Sequence, residues 1–213
     1  MGRKKGSRSH DYEEKRAELA RRVFRCIASD AGTSLHAMAA WIGVSRPTLR
    51  HYFTDRDGAV RAALELAAKV GAPGLEPVPE IEAETAAEAI REALEYLAVA
   101  WRDYGLGRVH RVGIEVGLAD AETGKTYLDF ALEPVLGQFA TLIGRLQAEG
   151  KLEAHREPRA VAFATVSPVL LMLVHQHALG GKATHPVGLG TVIEEVVASI
   201  SAPRTPPSRP DRP

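Results

Sequence analysis

Apolar residues recur at intervals of three or four positions along most of this chain, and that spacing places them on one face of an α-helix. Two stripes show it most clearly: Ile90, Leu94, Leu97, Trp101 and Tyr104, and then Leu128, Leu132, Val135, Phe139, Leu142 and Leu146. Beyond residue 80 no stretch alternates apolar and polar residues as a half-buried strand would. The pattern therefore predicts an all-α protein.

The same periodicity, together with the glycine and proline positions, predicts where helices begin and end. A first helix spans about 11–29, two short helices follow within 33–53, and a fourth begins near Thr54 and runs through Ala67. Thr54 with Asp57 three positions later is typical of a capped helix start. After residue 80 we expect helices that carry the stripes at 90–104 and 128–146, a shorter one at 105–119, and two more at 158–179 and 189–200.

Shifts in composition divide the chain into five segments. Residues 1–10 are rich in Gly, Ser, Lys and Arg without an apolar anchor, so we expect a disordered basic arm there. Residues 11–70 form an N-terminal domain, and the Gly- and Pro-rich stretch 71–80 is predicted to be a linker. Residues 81–202 are predicted to form a helical bundle, and the Pro-rich stretch 203–213 a disordered tail.

Residues 33–61, TSLHAMAAWIGVSRPTLRHYFTDRDGAVR, carry the most specific motif. Ala39 is small where two helices must cross closely, Gly43 follows four residues later at a turn, and Leu49 anchors the second helix six residues beyond. Ser45 is expected to cap that second helix, whose first turn tolerates Pro47 because an N–H there has no helical partner. Those offsets define a helix-turn-helix, which places a helix in the DNA major groove.

The second helix of this motif has an outward polar face made of Arg46, Thr48, Arg50 and His51. Arginine can bond guanine O6 and N7 together, threonine can touch a thymine methyl group, and the hydroxyl of Tyr52 can donate to a phosphate. The set expected to contact double-stranded DNA is Thr33, Ser34, Ser45, Arg46, Pro47, Thr48, Arg50, His51, Tyr52, Thr54 and Arg56. The alternative is a helical hairpin whose basic face is simply solvated.

The run VSRPTLRHYFTDRDGAVRAALE, preceded by a helix over 12–29 and by Gly-Thr-Ser at 32–34, resembles the DNA-binding domain of the TetR family of transcriptional regulators. The match covers roughly residues 12–68. Arg50 departs from the pattern, because many members carry tyrosine there, and it adds a cation to the reading face. The resemblance implies a three-helix helix-turn-helix domain, followed by a helical bundle that binds an effector and dimerises through its last two long helices.

The charge distribution agrees with a polyanionic partner for the N-terminal part. Residues 1–70 carry 14 Lys or Arg against 8 Asp or Glu, whereas the other 143 residues carry 13 against 19, so a zero net charge hides +6 and −6. Binding to DNA should then depend strongly on salt. Arg3, Lys4, Lys5 and Arg8 could add phosphate or minor-groove contacts, or could form only a solvated tail.

A homodimer is expected on physical grounds as well, because one helix-turn-helix reads few base pairs and specific affinity usually comes from two half-sites about 34–36 Å apart. Candidates for the interface are the apolar residues of the last two long helices: Phe163, Val166, Leu170, Leu173, Val174, Val192, Val196 and Ile200. Core residues would show the same pattern. Pro168 lies inside the first of these helices, and a static kink is favoured there over a switching hinge.

Residues that join a large body to a polar or polarizable tip are candidates for an effector pocket. They are Trp101, Tyr104, His110, Tyr127, Met172 and His175. Plain core packing is the alternative for each of them. An unknown small molecule is the expected ligand.

Other classes of function find little support in the residues. The sequence has no phosphate-binding loop, nucleophile elbow or metal-ligand spacing, so we expect no enzyme, no metal and no cofactor. The longest nearly apolar run, 162–174, is too short to cross a bilayer, so we expect no membrane association and a cytoplasmic protein. The single cysteine, Cys26, is expected to be a buried thiol.

The sequence therefore predicts a ligand-responsive dimeric repressor that a small molecule releases from a palindromic operator. Two alternatives remain. One is a constitutive, architectural DNA-binding protein without an effector, and the other is an all-α enzyme.

Overall fold

A computed structural model describes residues 7–70 and 81–201, and within these ranges the chain forms helices and no strand. The helices are α1 (Ser7–Ala28), α2 (Leu35–Ile42), α3 (Arg46–Phe53), α4 (Arg56–Val70), α5 (Ala86–Asp103), α6 (Leu106–Ala119), α7 (Ala121–Tyr127), α8 (Glu133–Ala148), α9 (Pro158–Leu173), α10 (Gly181–Thr184) and α11 (Leu189–Ser201). Two π-helical turns, Leu128–Leu132 and Val174–Ala178, join α7 to α8 and extend α9. The all-α class is confirmed.

Some boundaries differ from those expected. Helix α1 begins at Ser7, because no glycine or proline interrupts it before Ala28, so the last part of the predicted arm is helical. The sequence pattern also missed α7, a seven-residue helix that Asp120 caps by accepting from the Thr123 N–H. Arg3, Lys4 and Lys5, the linker at 71–80 and the tail at 203–213 lie outside the described residues.

We call the four helices α1–α4 the head. One hydrophobic core lies beneath them. Leu19, Met38 and Leu49 are fully buried in it. Cys26 is buried there too, and burial raises the pKa of its thiol, as expected for a packing residue. The same core continues into α6 and the turn after α7, through residues such as Val112 and Phe130. The two predicted domains therefore share apolar packing across α6.

We call the helices α5–α11 the body. A second core holds together four of them, α5, α8, α9 and α11. Leu94, Phe139 and Leu173 are among its buried residues, and Ile193 brings α11 against them. Arg91 on α5 donates two hydrogen bonds to the Glu194 carboxylate on α11, at 2.7 and 2.9 Å. This exposed pair links the last helix of the body to its first helix.

Ion pairs on the surface also link the head to the body. Arg56 on α4 lies 3.0 Å from Glu115 on α6, and Arg61 on α4 lies 3.2 Å from Glu122 on α7. Such exposed pairs contribute little stability individually, about 0–1 kcal/mol. Their position matters more, because they connect α4 to the part of the body that shares a core with the head.

Among the described residues, one helix, Pro158–Ala178, is long and apolar enough to cross a membrane by length and composition alone, with 21 residues and a mean hydropathy of 1.4. The sequence expectation of no such span counted only the uninterrupted apolar run. The π-helical turn lengthens α9 and explains the difference. Because Val166, Val169 and Leu173 on this helix are buried in the body core, the same composition also suits a core helix.

Candidate nucleic-acid interface

Helices α2 and α3 form the predicted helix-turn-helix. Ala39 is 3% exposed where α2 meets its neighbours, and Leu49 is completely buried on the inner side of α3. Gly43 ends α2 with a φ of +76°, a left-handed conformation that favours glycine, and its N–H donates to the Ala39 carbonyl at 3.0 Å. The three positions therefore play the structural roles that their spacing indicated.

Serine caps begin both helices. The Ser34 hydroxyl accepts from the Ala37 N–H at 3.1 Å, and the Ser45 hydroxyl accepts from the Thr48 N–H at 3.1 Å. The predicted cap at Ser45 is confirmed, and Pro47 lies in the first turn as expected. Each serine is exposed and also caps its helix.

The outward face of α3 carries Arg46, Pro47, Arg50 and His51, all of them exposed. No ion pair to a described residue engages either arginine. Thr48 is half-buried, and its hydroxyl shares a 2.7 Å hydrogen bond with Ser45. The face thus offers two free guanidinium groups one helical turn apart, which suits an anionic groove.

Tyr12 on α1 supports this face, and the sequence analysis did not identify it. Its ring stacks on Tyr52 with centroids 4.9 Å apart, and its hydroxyl donates to the His51 carbonyl at 3.4 Å. The contact orients Tyr52, which is half-buried. The available signal was an isolated aromatic residue in the polar first half of α1.

Arg22 is a second residue that the sequence did not reveal. From α1 it donates a hydrogen bond to the Ile42 carbonyl at the end of α2. Carbonyls in the last turn of a helix lack helical partners, and a cation there also interacts favourably with the helix dipole. Arg22 therefore fixes the end of α2 just before the turn that sets the direction of α3.

The junction between α3 and α4 differs from the predicted capping pattern. Asp55, not Thr54, caps α4, because its carboxylate accepts from the Gly58 N–H at 2.8 Å. Thr54 instead has a φ of +67°, and the Asp55 N–H donates to the Phe53 carbonyl at 2.8 Å across it. This is a γ-turn, which is strained for a β-branched residue. It leaves the Thr54 side chain exposed beside the end of α3.

Arg56 and Thr33, two more residues of the predicted DNA-contact set, are bonded to each other. The Arg56 Nε donates to the Thr33 carbonyl at 3.0 Å, and its other nitrogens pair with Asp57 and Glu115. The guanidinium thus joins the start of the helix-turn-helix to α4 and α6. These contacts hold Arg56 away from the exposed face of α3.

Three of the six candidate effector residues come together inside the body. Trp101 stacks on His110 with ring centroids 4.6 Å apart, and His110 Nδ1 lies 2.7 Å from the Tyr127 hydroxyl. Burial lowers the pKa of His110 to about 4 and raises the pKa of Tyr127 above its usual range. Both side chains are therefore neutral near pH 7, and they form a buried polar pair beside an indole.

The other three candidates do not join this cluster. Tyr104 is 54% exposed at the end of α5, and Met172 is buried in the body core. His175 is half-buried in the π-helical turn after α9, where its Nδ1 lies 2.7 Å from the Gln176 amide. Helical periodicity could not separate these environments, because it does not show which other elements pack over a given residue.

The interface candidates on the last helices differ in exposure, and three of them are half-buried against the body core: Leu170, Val174 and Val192. Val166, Leu173, Val196 and Ile200 are buried within one protomer, so their assignment to a dimer interface is wrong. Phe163 is 59% exposed on the opposite side of α9. Leu171, which the sequence analysis did not name, lies on this side at 69% exposure. The exposed side of α9 is therefore apolar along two turns.

Two solved structures with the same fold are described as TetR-family regulators. A Mesorhizobium loti protein described as a TetR-family transcriptional regulator is 18% identical, with a TM-score of 0.60 over 87% of this chain and 94% of that one. A Rhodococcus protein of the same description is 16% identical, with a TM-score of 0.59 over 89% of this chain and all of that one. Salmonella enterica GusR is 15% identical, with a TM-score of 0.57 over 87% and 94%.

The sequence comparisons add no relative. No family model matches the chain, and no curated protein matches it. At such low identity the structural likeness establishes the fold: an N-terminal helix-turn-helix followed by a helical domain. The fold that the sequence resemblance implied is confirmed.

Proposed function

We propose that this chain, which has the fold of TetR-family regulators, is a DNA-binding transcriptional regulator. The observation that carries the proposal is the exposed face of α3, where Arg46 and Arg50 have no acidic partner among the described residues. A short helix with two free guanidinium groups fits the major groove and can bond guanine edges. A regulator of this kind works in the cytoplasm, where the chromosome lies.

A homodimer presents two such faces to a palindromic operator. The exposed apolar side of α9, with Phe163 and Leu171, supports this assembly, because an apolar patch of that kind on a helix suits a two-fold interface. Two half-sites multiply the contacts that one short α3 can make. We therefore propose that the operator is a palindrome with half-sites about one helical turn apart.

Repression that a small molecule relieves is the mechanism we propose. Helix α6 shares one core with the head through Val109, Val112 and Val116, so a ligand that shifts α6 also changes the position of α3. A coupling free energy of about 1–3 kcal/mol would change operator affinity roughly 5- to 150-fold. Near α6, the neutral pair His110 and Tyr127 offers buried polar atoms to an effector.

Selection of bound fragments from the source genome tests the DNA-binding proposal. We expect a small set of fragments that share one palindrome, with affinity that falls steeply as salt rises. Equal affinity for many unrelated sequences would favour an architectural DNA-binding protein instead. Absence of any retarded fragment in dilute buffer would overturn the proposal.

Substitution of Arg50 tests the reading face directly. We expect Arg50→Ala to weaken operator binding by about 1–3 kcal/mol and to leave binding to unrelated DNA much less affected, because a bidentate contact to guanine is lost. Tyr52→Phe should weaken all sequences about equally, since it loses a phosphate contact. Arg91→Ala, at an exposed ion pair in the body, is the control for removal of one charge. Full affinity and selectivity in Arg50→Ala would contradict this assignment.

A further inference from the structure

A cleft of about 460 Å³ opens where the head meets the body, and of the residues predicted to bind an effector only Trp101 lines it. We call it the junction cleft. Its walls come from the loop after α1 (Asp30), the end of α5 (Trp101 and Arg102), the first turns of α6 (Arg108 and Arg111) and the π-helical turn (His177). Its volume is within the range of small-molecule sites.

The junction cleft is strongly basic. Three arginines face it against one acidic residue, Asp30, which leaves a net charge of +2. Arg102 and Arg111 are exposed, and in the part of the chain that the structure describes no carboxylate pairs with either. The chain beyond residue 70 is acidic overall, so this concentration of unpaired cations is not typical of the body.

Two glycines let the walls of the cleft pack closely against each other. Gly105 has a φ of +72° and lies so close to the Ala28 carbonyl that a side chain there would clash with the head. A side chain at Gly107 would collide with the indole of Trp101. Helix α6 also begins at the cleft without a side-chain cap, so its first-turn N–H groups add to the positive potential.

We propose that the junction cleft binds a small-molecule anion that carries carboxylate or phosphate groups. Arginine is the residue that best matches such groups, because its planar guanidinium can donate two parallel hydrogen bonds to them. Arg102 and Arg111 supply free guanidinium groups, and Trp101 supplies an apolar wall for the rest of the ligand. Binding itself needs only this chain, whereas its effect on an operator rests on the function proposed above.

Arg108 connects the cleft to the helix-turn-helix. Its Nε lies 3.4 Å from the Asp30 carboxylate, and its Nη1 donates to the Ala28 carbonyl at 3.0 Å. Asp30 belongs to the loop that leads directly to Ser34, the cap of α2. A bound anion competes with Asp30 for the same guanidinium, so occupation of the cleft loosens the loop that positions the head.

Calorimetric titration of the full chain with citrate, and separately with inorganic phosphate, tests this proposal. Sodium chloride keeps the ionic strength constant, because exposed charges are screened by salt. We expect one saturable site per protomer and at least about tenfold weaker binding in the double variant Arg102→Gln/Arg111→Gln. Asp30→Asn should bind the same anion more tightly, since it removes the competing carboxylate. Circular dichroism checks that each variant keeps its helices.

The matched control is Arg46→Gln/Arg50→Gln, which removes two exposed arginines from the outer face of α3. It should lose operator binding and keep anion affinity, whereas the cleft variant should do the reverse. The two double variants thus separate a failure of the DNA-binding proposal from a failure of the anion-binding proposal. No saturable binding of either anion, equal affinity in the cleft variant, or anion binding lost with the α3 arginines would overturn the proposal.

Discussion

His110 lies completely buried between the Trp101 indole and the Tyr127 hydroxyl, and burial lowers its pKa from 6.5 to about 4. In the unfolded chain the same imidazole takes up a proton near pH 6.5. Between these two values the unfolded state binds more protons than the folded state, so the free energy of unfolding falls as the pH falls through this window.

Replacement of His110 should therefore reduce the sensitivity of the protein to acid. We expect His110→Gln to be less stable than the original protein at pH 8, because the stacked ring is lost, but to lose about 2 kcal/mol less between pH 8 and pH 5. Urea unfolding at the two pH values measures this difference. Tyr127→Phe should keep the original acid sensitivity, since burial is the cause of the lowered pKa. An unchanged pH dependence in His110→Gln would refute the assignment.

At the scale of elements, the direction of α3 depends on the short junction that joins it to α4. The γ-turn at Thr54 reverses the chain, the Asp55 carboxylate caps α4, and Gly58 packs against the Phe53 carbonyl oxygen so closely that a Cβ would clash with this backbone atom. Backbone cannot move aside as a flexible side chain can. The junction is therefore a rigid connection between the reading helix and the helix that contacts the body.

Alanine substitutions at two helical glycines should have opposite effects. We expect Gly58→Ala to lower the free energy of unfolding by about 1–3 kcal/mol and to weaken DNA binding, because the added methyl group forces α3 and α4 apart. Gly137→Ala on α8 has open space around the new Cβ, so it should raise stability by about 0.5–1 kcal/mol through helix propensity alone. Thermal unfolding measures both changes. Stabilisation by Gly58→Ala would show that the close approach does not exist.

For the whole molecule, the exposed apolar side of α9 is the surface that we propose for the contact between two protomers. Leu171→Glu should weaken the proposed dimer by about 100-fold, because two-fold symmetry places one new charge from each protomer in the interface. Sedimentation at several concentrations measures the dissociation constant, and operator affinity should fall with it. The matched control is Leu118→Glu, at an 86% exposed leucine on α6. A stable dimer in Leu171→Glu, or a monomeric original protein, would count against an interface on α9.

Local sequence determined most of the helices but not α7, together with the turn at Gly43 and the cap at Ser45, because periodicity, propensity and capping act over a few neighbouring residues. The resemblance to one family also came from a short motif. The same local rules predicted which side chains of α3 point outward, apart from the half-buried Thr48, since the two buried residues Leu49 and Phe53 fix the rotation of the helix.

Tertiary structure decided the features that depend on residues far apart in sequence. The apolar stripes on α9 and α11 did not reveal which side of each helix faces the core, since core and interface residues follow the same periodicity. Packing against α5 and α8 buried Val166 in the core and left Leu171 exposed to solvent. Tyr12 reached α3, and Asp30 reached Arg108, only because the chain folded back over 39 residues or more. Long-range packing has no signature in the spacing of neighbouring residues, so only the folded chain brings Asp30 and His177 to the arginines of the junction cleft.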